Sequence, residues 1–102
     1  MKLKKYYFKN VISTNNTALR LIKNGKSSGI VLSESQSKGR GQRGNKWISK
    51  KGNLFMTLFI KISNRLTLKR ITQINLSIIK KIILKTTKSK VSIKLPNDIL
   101  ID

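Results

Sequence analysis

Twelve consecutive residues, 35–46, contain three glycines and no aliphatic side chain. An element that must bury a face cannot run through such a stretch, so it is expected to form a loop, with the packable segments divided between its two flanks. On the N-terminal flank, residues 6–12 are rich in aromatic and β-branched side chains and predict a strand. Ser13 and Thr14 offer capping hydroxyls to a helix over about residues 15–24, with Ala18, Leu19, Leu21 and Ile22 as its apolar side and Gly25 as its left-handed stop. Residues 29–33 read as a second strand. Beyond the loop, Trp47 and Ile48 resume apolar character, and residues 54–62 predict a long strand at the centre of a sheet. Residues 66–86 carry apolar side chains at 68, 71, 74, 78, 79, 82 and 83, a helical spacing. Residues 91–95 alternate as a strand, Pro96-Asn97-Asp98 makes a turn, and residues 99–101 begin another strand. The expected order is β-α-β-loop-β-α-β in one unit, without repeat or linker. A length of 102 residues suits one domain.

Composition narrows the chemistry. Cysteine and histidine are both absent, which excludes a disulfide framework, a thiolate nucleophile, Cys-ligated or His-rich metal sites and a Ser-His-Asp triad. Glu34, Asp98 and Asp102 are the only carboxylate side chains, too few for a glycosidase pair or a carboxylate-rich cation site. Against them stand 23 Lys and Arg, for a net charge of +20. What remains is chemistry of lysine, arginine, amide and backbone groups, which suits anionic ligands. The charge does not by itself specify nucleic acid: 18 Lys against 5 Arg are spread from Lys2 to Lys94, beside 15 Ile and 9 Asn, the pattern of AT-rich codons. No apolar run approaches the ~18 residues of a membrane span. The N-terminus has no secretory signal, so a cytoplasmic protein is expected.

The informative segment is Lys38-Gly39-Arg40-Gly41-Gln42-Arg43-Gly44-Asn45-Lys46-Trp47. Its glycines allow close backbone approach and convergent N–H groups, and Arg40 and Arg43 supply planar forks for carboxylate or phosphate oxygens. The glycine spacing fits G-x-G-x-x-G, but no helix start follows and no acid lies ~20 residues downstream. A Walker A loop would need Lys-Ser or Lys-Thr directly after Gly44, and a kinase would need a histidine. Read alone, the segment has as its alternative a flexible basic loop or a lone RGG-like RNA contact.

Its neighbours change that reading. Ser13-Thr14-Asn15-Asn16 at a helix start, then Gln36 and the Gly39–Gly44 loop, then Trp47, then Lys94-Leu95-Pro96-Asn97-Asp98 form an ordered set. The set resembles the catalytic domain of biotin protein ligases, distant kin of the lipoate ligases, over about residues 12–102. The resemblance implies an α+β fold, a mixed β-sheet with helices on one face, of the class II synthetase-like biotin/lipoate ligase type. Residues 1–102 would be its N-terminal portion and leave it incomplete. By resemblance, Ser13, Thr14 and Asn15 hydrogen-bond the biotin head group and Gln36 completes those contacts. Arg40, Gly41 and Gln42 line the biotin carboxylate and the adenylate phosphate. Gly39 and Arg43 serve the adenylate, and Asn97 lies near its ribose or phosphate. Trp47 covers the ligand or anchors the loop, unless it is a core aromatic. Asp98 lies near magnesium, unless it only shapes its turn.

The activity implied is ATP-dependent formation of biotinyl-5′-AMP, with ATP and magnesium as the substrate complex, and transfer of biotin to a lysine of the biotin carboxyl carrier domain of acetyl-CoA carboxylase. Two positions depart from the family pattern: Gln42 stands where arginine is frequent, and Leu95 where tryptophan usually precedes the Pro-Asn-Asp turn. The family's lysine for the biotin carboxylate follows that turn, past Asp102, so residues 1–102 alone are not expected to complete biotinylation. Only 12 residues precede Ser13, too few for an N-terminal DNA-binding domain, so specific DNA binding is not expected. The alternatives are a lipoate or octanoate ligase or transferase of the same fold, and a basic nucleic-acid-binding module.

Overall fold

The computed structural model describes residues 2–102. The chain forms two compact units, Met1–Lys61 and Ile62–Asp102.

The first unit runs β1 (Lys5–Val11), α1 (Thr14–Lys23), β2 (Gly29–Gln36), a short hairpin of β3 (Gly39–Arg40) and β4 (Lys46–Trp47), and β5 (Phe55–Phe59). β2 lies between the other two long strands, parallel to β1 and antiparallel to β5, so the sheet is mixed as expected. Tyr6, Val31 and Thr57 stand side by side across it. α1 lays Thr14, Thr17, Ala18 and Leu21 on this sheet, an i, i+3, i+4, i+7 stripe. Ala18, Val31 and Phe59 form the core there. The stripe begins with two threonines, so the predicted apolar side is rotated: Leu19 and Ile22 are exposed.

Both ends of α1 follow local chemistry. Ser13 caps the first turn through its hydroxyl, which accepts the Asn16 N–H at 2.9 Å. At the other end Gly25 takes φ +91° and its N–H bonds the Ile22 carbonyl, while the Lys26 N–H bonds that of Leu21. These two bonds satisfy carbonyls that the helix leaves without partners.

Two strand expectations need correction. The predicted long central strand over 54–62 is the five-residue β5, which flanks β2 rather than being flanked. A nearly continuous apolar run suits burial on both faces, yet only Phe55 and Phe59 are buried while Met56, Leu58 and Ile60 are exposed. β2, in turn, continues to Gln36 instead of ending at 33, because Asn10 pairs Ser35 and Val11 pairs Gln36 across the parallel ladder. Backbone pairing carries the strand into the polar stretch, which needs no apolar side chains where its face is open to water.

In the second unit, α2 (Leu68–Leu84) packs against the hairpin of β6 (Val91–Lys94) and β7 (Asp98–Ile101). Thr67 caps α2, accepting the Arg70 N–H at 3.1 Å. Leu76 and Val91 are buried, whereas Ile78, Ile79 and Ile82 of the predicted stripe are exposed. The Leu95–Pro96 peptide is cis at the hairpin turn. Among the described residues, no helix is long and apolar enough to cross a membrane.

Candidate functional site

The first turn of a helix carries backbone N–H groups with no intrahelical acceptor. In α1 two side chains supply acceptors from different directions. Ser13 takes the Asn16 N–H, and Gln36, brought beside the turn by the extension of β2, takes the Thr14 N–H on its Oε1 at 2.7 Å. The Thr14 hydroxyl donates to the same oxygen at 3.2 Å. The other end of the Gln36 amide is held as well: Nε2 donates to Ser49 Oγ at 2.9 Å, and the Ser49 hydroxyl donates to the Trp47 carbonyl at 3.1 Å. From β5, the Thr57 hydroxyl reaches Thr14 Oγ1 at 2.8 Å and Asn15 Oδ1 at 2.7 Å. Arg40 on β3 donates from Nη1 to Asn16 Oδ1 at 2.8 Å.

These groups surround a cavity of about 180 Å³ lined by Thr14, Asn15, Gln36, Arg40, Trp47, Leu54 and the β5 residues Phe55, Met56 and Thr57. A larger groove of about 750 Å³ adjoins it along the hairpin, with Lys38, Gly39, Gly44 and Lys46 in its wall. A third space, about 300 Å³, runs along α1 past Ala18, Leu19, Ile22 and Phe59. Arg40 borders all three. Among the described residues their linings include lysine and arginine and no carboxylate, so the site's permanent charge is positive. It is arranged to accept an anion next to a neutral hydrogen-bonding group.

Of the residues singled out from sequence, Thr14, Asn15, Gln36, Arg40 and Trp47 meet at the small cavity. Gly39 is buried against Ser49 and the Trp47 carbonyl. Ser13 is only 1 % exposed and lies behind that wall as the helix cap. Gly41, Gln42 and Arg43 form the exposed or half-exposed turn of the hairpin, closed by a 2.7 Å bond from the Gly41 N–H to the Asn45 carbonyl. Arg43 sits there at φ 58°, in the left-handed region that favours glycine. Trp47 is 58 % exposed. Asn97 and Asp98 belong to the second unit, where Asp98 opens β7 opposite Lys94.

Three members of the hydrogen-bond network carry no predicted role: Asn16, Ser49 and Thr57. Thr57 had a visible signal, since it is the one polar residue in the run 54–60. Ser49 had none. Its partners meet only once the hairpin has folded.

The profile of the Biotin/lipoate A/B protein ligase family matches residues 7–102. Among solved structures, the chain is similar to the biotin acetyl coenzyme A carboxylase synthetase of Helicobacter pylori with bound biotinylated ATP, at 28 % identity and TM-score 0.78 over 97 % of this chain and 49 % of that one. Biotin protein ligase of Leishmania major in complex with biotin matches at 26 % identity and TM-score 0.78, over 99 % of this chain and 48 % of that one. The Aquifex aeolicus biotin protein ligase in complex with biotin and ATP matches at 26 % identity and TM-score 0.78, over 94 % and 40 %. The chain therefore spans about half the length of the solved structures it matches.

Proposed function

The chain belongs to the biotin/lipoate A/B protein ligase family, and from that premise we propose that its small polar cavity takes the ureido head of biotin and that the hairpin beside it takes the adenylate. The choice of biotin rests on the cavity wall. Thr57 has one hydroxyl proton for two acceptors, Thr14 Oγ1 and Asn15 Oδ1, so acceptor capacity is left over for a ligand N–H. Gln36 has a second Nε2 proton, and Arg40 a guanidinium, for ligand oxygens. A cyclic urea with a carboxylate on its tail offers both kinds of partner. The dithiolane of lipoate offers no comparable hydrogen bonds, and each buried polar group left unpaired costs ~1–3 kcal/mol.

The proposed reaction is adenylation followed by acyl transfer. A carboxylate oxygen of biotin attacks the α-phosphorus of ATP, the bond to pyrophosphate breaks, and biotinyl-5′-AMP forms. A lysine amine of a biotin carboxyl carrier domain, such as that of acetyl-CoA carboxylase, then attacks the acyl carbon. An amide forms, AMP leaves and the amine gives up a proton. Two anions must meet in the first step, so the main service of the site is cationic and N–H stabilisation of charge. Arg40 stands where both anions would pass, bordering the cavity and the hairpin groove. Gly41 and Gln42 are assigned with Arg40 to the biotin carboxylate and the adenylate phosphate, and Gly39, Arg43 and Trp47 to the adenylate, with Ser13 holding the helix turn that presents Thr14 and Asn15. Magnesium enters with ATP as part of the substrate. Asp98 is half-buried, and among the described residues no group of three or more possible metal ligands forms, which suits an ion held mostly by phosphates and water. Asn97 is assigned to the ribose or phosphate.

Calorimetric titration with biotin, lipoate and a short RNA at about 50 and about 200 mM salt tests the reading. Biotin is expected to bind tightest, with weak salt dependence. Tighter binding of lipoate would overturn the choice of biotin within the family. RNA binding that collapses with salt, with no response to biotin, would make the chain a basic nucleic-acid module.

A further inference from the structure

The geometry points to Ser49 as a positioning residue that ties the Gln36 carboxamide to the glycine-rich hairpin and so fixes which edge of that amide a ligand meets. This rests on the biotin reading for its ligand, but its physical basis is independent of it.

Two groups at the ends of the hydrogen-bond chain have no choice of role. The Thr14 backbone N–H can only donate, and the Trp47 carbonyl can only accept. Between them lie Gln36 and Ser49. Oε1 of Gln36 must face Thr14, which puts Nε2 towards Ser49; the Ser49 proton goes to Trp47, which leaves its lone pair for Nε2. Both constraints give the same orientation of the amide. Oε1 already accepts two bonds from Thr14, so the group Gln36 has left for a ligand is a single N–H.

The surrounding backbone is shaped for this serine. Gly39 lies so close that a Cβ there would overlap Ser49 Oγ, stand 2.5 Å from the Trp47 carbonyl oxygen and 3.0 Å from Gln36 Nε2. Any side chain at 39 would occupy the place where the hydroxyl and the amide meet. Ser49 therefore connects the wall of the cavity, through Gln36, to the strand that carries Trp47 and pairs with Arg40. Removing its hydroxyl releases one edge of the amide and one carbonyl of the hairpin together.

The test compares Ser49→Ala, Ser49→Thr and Gln36→Ala, and the Ser49→Ala/Gln36→Ala double variant, using biotin titration and the side-chain amide resonances of Gln36. Ser49→Ala should weaken biotin about five- to tenfold, the scale of one hydrogen bond to a neutral group. Ser49→Thr, which keeps the hydroxyl, should restore most of the affinity. In the Gln36→Ala background, Ser49→Ala should cost less than it does alone, because the part of its effect that passes through the amide is already gone. The Gln36 resonances should shift in Ser49→Ala without ligand. Wild-type biotin affinity in Ser49→Ala, or a loss undiminished in the Gln36→Ala background, would overturn the inference. If the unmodified chain binds no biotin, the biotin reading falls. Gln36 resonances unmoved by Ser49→Ala would then separately overturn the positioning role, and shifted ones would support it.

Discussion

The hydroxyl oxygens of Thr57 and Thr14 lie 2.8 Å apart, one on β5 and the other in the first turn of α1. The contact joins the sheet to the helix end at the wall of the cavity. It also explains a polar residue in an otherwise apolar strand: across β2, Thr57 is in register with buried Val31 and with Tyr6. A hydroxyl in that row is costly unless it finds partners, and Thr57 finds two.

Replacing Thr57 with valine keeps the shape and removes the partners. Thr14 and Asn15 then lose the donor they share, and the cavity loses one of its polar groups. The expected result is a stability loss of about 1 kcal/mol in urea denaturation and about tenfold weaker biotin binding by calorimetry. Unchanged biotin affinity would exclude Thr57 from the ligand's surroundings.

Gly39 is constrained by packing, because its own backbone does not need positive φ. Gly39→Ala must push aside either Ser49 or the Trp47 carbonyl. Overpacking of this kind costs roughly 1–3 kcal/mol. Trp47 is the single tryptophan, so its fluorescence reports the hairpin directly. Its emission should change in Gly39→Ala before global unfolding, and a spectrum identical to the unmodified chain would contradict the packing account.

How much of this was legible follows the range of the interactions. The caps of α1 were legible, since Ser13 and Gly25 act on groups within a few residues of themselves. The meeting of Thr14, Asn15, Gln36 and Arg40 was legible only as a resemblance, because its cause is a strand pairing that sets Val11 beside Gln36. The central strand was misassigned for a similar reason. Residues 54–60 state that they are apolar, but not which strand lies on each side. In α2 the apolar spacing was clear, yet it omitted Leu76, the one buried residue of the helix. Ser49 was illegible because its three-way contact exists only after β3 and β4 have paired.

Gly29 offers a test of the core rather than of the site. A Cβ there would lie 2.8 Å from Cζ of Phe59 and 2.9 Å from Cε2 of Tyr6, between two aromatic rings that pack on the sheet. Gly29→Ala should lower stability by roughly 1–3 kcal/mol in chemical denaturation. Adding Phe59→Leu, which opens space on one side, should make the alanine less harmful than it is alone. Strict additivity of the two changes would show that the ring contact is not the source of the strain.

Arg40 separates the two anions of the proposed reaction. Its guanidinium is exposed, holds Asn16 Oδ1 at 2.8 Å, and borders the cavity, the hairpin groove and the space along α1. Because the side chain is exposed and makes only this one bond among the described residues, Arg40→Ala should leave stability within about 0.5 kcal/mol. Biotin brings one carboxylate to this region, whereas biotinyl-AMP brings a phosphodiester-like phosphate and no free carboxylate. Carboxylate and phosphate both accept the arginine fork, but Arg40 stands on the hairpin assigned to the adenylate, so the loss should be larger for the phosphate held there. Arg40→Ala is expected to weaken biotinyl-AMP by ~2–3 kcal/mol and biotin by less. Arg40→Lys keeps the charge and loses the fork, so it should recover only part of either affinity. Calorimetry with both ligands, or with a non-hydrolysable adenylate analogue, measures the difference. Equal losses for the two would assign Arg40 to the Asn16 contact, and a larger loss for biotin would assign it to the carboxylate; in either case the phosphate would have to be held by the backbone and Arg43 of the hairpin turn.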